Sequence, residues 1–466
     1  MSITPAQENE RMLARILGID EDRAAVQLAQ TVSITAGDGE AESFAEELAD
    51  QLARTVHVVT GAQMANLEVM IGAPPAGRAP KQLFVAITSD AITVSTQRID
   101  GEAPRDLHGI QRVIGACYTA SVVLANLIDG VAPAAPADPF VVSFERLGAT
   151  RDVLATPITL EEAVLAGAGA VGSGFLRAAR HLDIRGGLTV ADPKVVGGGN
   201  PNRCFYFTEA DVGKPKAGQL CANAQPDFPN LKLAPYTGTF ADIVKARGKV
   251  RRVIVGTDSR PARRSIQQEL PLEVLDASTT GVSEVVIHSH RQPTGDACLA
   301  CIYPHVSDEL ARERDIATGL GVGLTVVTSG ALIDAAVART IKAKHPSVDE
   351  AALIGMAFDS LFKQLCAEQA LLSASGEQVF APFAFVSNLA GALLALELAR
   401  FESGVRFADG MNYLAASPWA APHGHLRRRR PRLPGCIFCG NPSARDVLAS
   451  IWPSMPETRS AVAVSG

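Results

Sequence analysis

AVLAGAGAVGSGFLRAARHLDIRGGLTVAD, residues 163–192, decides the fold. AVLAGAGA (163–170) is an apolar run that stops at glycines, so it reads as a buried strand entering a tight turn. GSGFLRAARHL (172–182) reads as a helix, and GGLTVAD (186–192) as a second strand. Strand, helix and strand in this order make a βαβ unit, the start of a doubly wound α/β sheet. Gly167, Gly169 and Gly172 form a GxGxxG turn between strand and helix. Glycines there let the backbone approach a phosphate, and the helix N-terminus attracts its charge. Asp192 closes the second strand, about 20 residues on, where a carboxylate accepts hydrogen bonds from ribose hydroxyls. By itself this fingerprint points to an adenosine nucleotide and leaves the chemistry open.

The next stretch, DPKVVGGGNPNRCFYFTEADVGKPKA (192–217), narrows the choice. A nicotinamide oxidoreductase has no need of Asn, Arg and Lys clustered just past the ribose acid. Asp192, Asn200, Arg203 and Lys216 stand at the spacing of the ubiquitin-activating (ThiF/MoeB-like) adenylyltransferase superfamily, which the chain resembles. That group includes bacterial adenylyltransferases of thiamine and molybdopterin biosynthesis. Its DVGxxKA phrase is matched by Asp211, Val212, Gly213, Lys216 and Ala217. A further strand, RRVIVGTD (251–258), ends in Thr257 and Asp258, with Arg263 five residues on. The resemblance covers roughly 155–440. One position departs from it: Lys194 replaces the second acid of the family's DxD.

The roles follow from charge. Adenylation brings a carboxylate onto the α-phosphate of ATP and expels pyrophosphate, so both partners are anionic. Arg203 and Lys216 are the cations for the phosphates, and Asn200 is a hydrogen-bonding group for the triphosphate. Asp258 is the candidate Mg²⁺ ligand, because Mg²⁺ prefers oxygen donors.

Cys298, Cys301, Cys436 and Cys439 make two CxxC pairs among eight cysteines. Four thiolates match a tetrahedral structural Zn²⁺, although the gap between the pairs is longer than in a zinc ribbon. Bacterial members of the resembled family carry a second pair as PGCxxCG, here PGCIFCG (434–440). Members that form a thioester place a nucleophilic cysteine shortly before the last buried helix. Cys366 occupies that place, ahead of VFAPFAFVSNLAGALLALEL, and LSASGEQ after it suits a segment that moves. Cys204, beside Arg203, is a second candidate whose pKa that cation would lower, with packing the competing role. Cys117 reads as core. His425 and the basic run after it, through Arg427–Arg430, fit either an acidic partner or a solvated loop.

The rest of the chain frames this centre. Its 466 residues call for two or three domains, and 47% hydrophobic with 20% charged is a globular composition. A net charge of -6 argues against a general nucleic-acid binder. The N-terminus has no apolar signal region, and Phe383–Leu398 is interrupted by small and polar residues, so the expectation is a cytoplasmic protein without a membrane span. GVAPAAPADP (130–139) reads as a linker. Before it, helices are expected at 11–30, 41–55 and 109–128, and strands at 67–73 and 82–89. Apolar small-residue helices near 113–128, 326–341 and 385–400 resemble one another and point to a decayed internal repeat. IGAPPAG (71–77) stands where a first-half glycine turn would be, but two prolines spoil it. Arg11 is the candidate for an arginine that reaches the ATP phosphates from the other half.

The expected architecture is a degenerate adenylation-like domain at 1–150 and an active Rossmann-like adenylation domain at 151–300 plus 376–445, with a zinc knuckle. A helical insertion at 302–375 carries the cysteine, and 446–466 is a tail. The resemblance implies ATP-dependent activation of the C-terminal glycine of a ubiquitin-like protein, a thioester, and transfer to a conjugating enzyme by a monomeric pseudo-dimer. Such systems serve antiviral defence in some bacteria. The alternatives are an adenylyltransferase of sulfur-carrier metabolism without a thioester, a nicotinamide oxidoreductase, and a pseudoenzyme scaffold.

Overall fold

The computed structural model describes residues 4–37, 39–59, 65–72, 79–99, 105–304, 307–329, 331–367 and 383–453. They form two sheets. The first holds β1 (Thr31–Ala36), β2 (His57–Val59), β3 (Leu67–Ile71), β4 (Lys81–Ile87), β5 (Ala91–Ser95) and β6 (Phe140–Ser143). Its order is β2-β1-β3-β4-β5-β6, with β1 to β4 parallel and β5 and β6 antiparallel. The second holds β7 (Ile158–Ala166), β8 (Ile184–Ala191), β9 (Leu231–Tyr236), β10 (Arg252–Val255), β11 (Glu273–Thr280), β12 (Glu284–Arg291), β13 (Tyr413–Ala416) and β14 (Arg427–Arg428). Its order is β9-β8-β7-β10-β11-β12-β13-β14, with β7 to β11 parallel and the last three antiparallel.

The two sheets run in the same order. β1 corresponds to β7, β3 to β10, β4 to β11, β5 to β12 and β6 to β13. A long apolar helix lies between the equivalent strands in each: Gly109–Leu127 between β5 and β6, and Ala384–Glu402 between β12 and β13. These are two of the three helices that resemble one another in sequence. The third, near 326–341, is not one helix. It is split into Leu324–Thr328 and Ala335–Lys344.

The two long helices pack against each other and against Glu40–Leu52 and Ala170–Ala179, so one continuous core spans both halves. Both are long and apolar enough to cross a membrane by length, yet both are buried in the protein. Ala384–Glu402 is buried along nearly all its length, which is why its sequence shows no polar face. Close approach needs glycine. A Cβ on Gly391 would stand 2.3 Å from the backbone of Gly174 and Phe175. Arg177 joins the halves through Glu47 at 2.9 Å and Asp50 at 2.6 Å.

Three expectations shift. GVAPAAPADP is no boundary between the sheets, because β6 follows it and pairs with β5. The helix expected at 11–30 is two, Pro5–Leu17 and Glu21–Leu28, parted at Gly18 in the left-handed region. The tail expected from 446 begins inside the helix Pro442–Ile451, which is anchored by Trp452 donating to the Leu270 carbonyl. Residues 307–367 form five helices around their own core, including Leu320, Ile341, Leu361 and Leu365.

Candidate active site

Register sets the site. Ala166 of β7 pairs with Val255 of β10 on one side and Ala191 of β8 on the other. The carboxyl ends of these strands are therefore flush, and the turns after them open together, the usual place for a ligand in such a sheet. Those turns carry Gly167, Asp192 and Asp258. They border a cavity of about 2080 Å³ that is also lined by Arg11, Asn200, Arg203 and Lys216.

Each glycine of the turn has its own reason. Gly167 has φ +107°, and a Cβ there would lie 2.9 Å from Gly256 and Thr257 backbone atoms. A Cβ on Gly172 would meet the Gly167 carbonyl oxygen at 2.1 Å. A Cβ on Gly169 would meet nothing within 4 Å, so space is open over the backbone where the helix Ala170–Ala179 begins. Asp192 ties the turn together: one oxygen accepts from Ala168 N and the other from Lys194 N, both at 2.8 Å. A carboxylate has about four acceptor directions, so capacity remains for a ribose.

Asn200 accepts from Gly197 N at 2.8 Å, bracing the Gly197–Gly199 loop. Lys216 opens the helix Lys216–Ala224, with its backbone N donating to the Lys194 carbonyl. Arg203 pairs with Glu8 at 2.7 Å. Burial opposes the Arg203 charge, but Glu8, with Cys204 and Asp258, holds the pKa above its ordinary value. Glu8 belongs to Pro5–Leu17, the helix that brings Arg11 to the cavity, where Arg11 lies 3.6 Å from Glu21. Asn9 of the same helix accepts from Asn202 at 2.9 Å. The first half therefore lends charged side chains to the cavity of the second, Glu8 and Arg11 among them. The Glu8 contribution was missed in the sequence. A carboxylate one helical turn from Arg11 was the available signal. Asp258 lies 3.6 Å from the Lys194 ammonium, and Arg263 is buried against Asp276 at 2.8 Å.

The insertion covers the cavity through Leu353, Met356, Leu361 and Leu365. Cys366 lies in the last turn of the helix Phe358–Ala367; its side chain falls outside the described residues, as does LSASGEQ. Cys204 is buried, in keeping with the packing role. Burial pushes its thiol up, and Arg203 and Lys216 do not reverse this. Cys117 is buried core with a raised pKa, as is Cys221 at about 12. In the basic run, Arg427 pairs with Glu397 at 2.7 Å, while the exposed Arg428 and Arg430 lie over the Tyr413 ring.

Away from the cavity, the Cys298, Cys301, Cys436 and Cys439 sulfurs all lie within 4.8 Å of one another. Three separations are 3.9, 3.6 and 3.2 Å. Tetrahedral zinc with bonds of about 2.3 Å requires sulfurs about 3.8 Å apart, so this donor set fits that ion.

Residues 158–435 match the ThiF family. The chain belongs to that family. Residues 1–150 match the E1 N-terminal domain. An uncharacterized protein, y4jF, of Sinorhizobium fredii is 26% identical over 388 residues, covering 78% of this chain and 74% of that protein. Mouse ubiquitin-like modifier-activating enzyme 7 is 33% identical over 154 residues, covering 29% of this chain and 16% of the mouse enzyme. Family membership makes the chain an adenylyltransferase of the kind that uses ATP with Mg²⁺.

Proposed function

We propose that the chain activates the C-terminal glycine of a ubiquitin-like protein. The observation that carries this is the convergence of Arg11, Arg203, Lys216 and Asp258 on a cavity behind the Gly167–Gly172 turn. The carboxylate attacks the α-phosphate of ATP. A carboxyl-oxygen-to-phosphorus bond forms and the bond to pyrophosphate breaks. Lys216 and Arg203 balance charge on the phosphates, Asn200 positions them, and Asp192 holds the ribose. Mg²⁺ held at Asp258 would supply further neutralisation of phosphate charge; an exposed carboxylate beside the cavity suits it. The Cys366 thiolate then attacks the acyl carbon and AMP leaves, giving a thioester for transfer to a conjugating enzyme. Support for Cys366 comes from its neighbour Leu365, which lines the cavity, and from the raised pKa of Cys117, Cys204 and Cys221.

We read residues 1–150 as a degenerate adenylation-like half, making a monomeric pseudo-dimer. The turn equivalent to Gly167–Gly172 follows β1 and reads Gly37-x-Gly39-x-x-Glu42, not the IGAPPAG segment after β3. Residues 73–77 of that segment lie outside the described residues. Glu40 and Glu42 occupy the first helical turn there, where they repel phosphate. The four-cysteine cluster is a structural zinc site. One zinc per chain is expected by elemental analysis, lost together with several degrees of melting temperature in Cys298→Ser.

The test combines the chain, ATP, Mg²⁺ and a small ubiquitin-like protein that ends in glycine. A thiol-sensitive adduct on non-reducing gels, absent from Cys366→Ala, is expected. Pyrophosphate exchange without an adduct would support the sulfur-carrier alternative, which stops at the acyl-adenylate.

A further inference from the structure

Lys194 is fixed from both sides. Its backbone N donates to Asp192 at 2.8 Å, and its carbonyl accepts from Lys216 N at 2.9 Å. Pro193 precedes it, with fixed φ. The residue is thereby threaded between the candidate ribose acid and the candidate phosphate lysine. Its side chain borders the cavity and ends 3.6 Å from Asp258 Oδ1. The side chain is 20% exposed, whereas that of Asp258 is 64% exposed. The ammonium is the sheltered partner of the pair.

A metal at Asp258 would share its carboxylate with a cation already in place. Two positive centres at such separation repel strongly in a partly enclosed cavity. The two cavity arginines Arg203 and Arg11 have partners from the first half, Glu8 and Glu21. Lys194 faces Asp258, with Asp192 and Asp359 also acting on its charge, and Asp258 is the carboxylate a metal would take.

We propose that Lys194 is a built-in cation of the nucleotide site, binding the ATP phosphates in place of part of the metal charge, so that ATP binding depends only weakly on magnesium. This rests on the ATP reading above. When a metal does bind Asp258, the ammonium moves to a phosphate oxygen, which it serves as a point charge with three donors.

Calorimetric titration of ATP into the full chain, in magnesium and in EDTA, reads this without turnover. Wild type is expected to bind in EDTA within roughly tenfold of its affinity in magnesium. Lys194→Ala should fall by roughly a further tenfold or more in EDTA and much less in magnesium, and Lys194→Arg should restore the wild-type pattern. Melting curves establish that each variant is folded. If wild type and Lys194→Ala share one magnesium dependence, the proposal is wrong and the ATP reading stands. If wild type binds ATP in neither buffer, the ATP reading itself fails and takes this proposal with it.

Discussion

The turn after β1 and the turn after β7 occupy equivalent places in two sheets of the same strand order, yet they are built under different constraints. In the second, a Cβ at Gly167 or Gly172 would run into backbone. In the first, a Cβ at Gly37 or Gly39 would meet nothing within 4 Å. The second helix starts with Ala170, Val171 and Gly172, the first with Glu40, Ala41 and Glu42. Strand order and the buried central helix persist because they build the shared core. The phosphate-cradling turn persists only where, on our reading, a nucleotide is bound. What the first half keeps are contacts that serve the second: Glu8 on Arg203, Arg11 at the cavity, and Glu47 with Asp50 on Arg177.

The largest expected difference is therefore between two identical substitutions. Gly172→Ala should reduce ATP affinity by roughly a hundredfold or more, because the methyl group forces the turn open. Gly37→Ala should leave affinity unchanged within error. Equilibrium titration of both variants checks this, and equal losses would break the comparison. Next come the charges. Lys216→Ala should slow pyrophosphate exchange by about 10²–10³, as removal of one transition-state donor does elsewhere. Glu8→Gln acts from the other half and should instead tighten ATP binding, by at most roughly tenfold, since Arg203 is released to the phosphates.

Part of this was legible in the sequence and part was not. The turn at 167–172, the acids at its strand ends and the two cysteine pairs declare themselves because their chemistry depends on local spacing. The strands 31–36 and 140–143 were not legible. The second is short and follows a proline-rich stretch that imitates a linker. The correspondence of Gly37–Glu42 with Gly167–Gly172 was also missed. It depends on which strand lies beside which, and the glutamates erase the local fingerprint. In the run Arg427–Arg430, only Arg427 turns inward, onto Glu397, while Arg428, Arg429 and Arg430 stay exposed. The charges of Glu8 and Lys194 gained meaning only through neighbours distant in sequence.

A smaller effect concerns the seam between the halves. Glu47→Gln removes a buried partner of Arg177 while Asp50 keeps part of the pairing. A loss of about 3 kcal/mol, at the low end for a broken buried pair, is expected by denaturant titration. The last effect is a dependence on pH. His181 packs against Gly109, and burial, with Arg180 and Arg112 nearby, lowers its pKa from the usual 6.5 to about 4. The folded protein thus resists a proton that the unfolded chain accepts. Its stability contribution is intact above about 6.5, declines as pH falls below that, and levels off near 4. The slope is at most about 1.4 kcal/mol per pH unit. His181→Phe should flatten that part of the stability profile if the ring is accommodated, and calorimetry across the range measures it.

The central claim is that the second half joins AMP to a protein carboxylate. Exchange of labelled pyrophosphate into ATP tests it most directly, with the full chain and a ubiquitin-like protein, intact or shortened by its terminal glycine. The account predicts exchange that requires the intact terminus and disappears in Lys216→Ala. Exchange that is absent with the intact partner while ATP still binds, or that is indifferent to the terminal glycine, would contradict it.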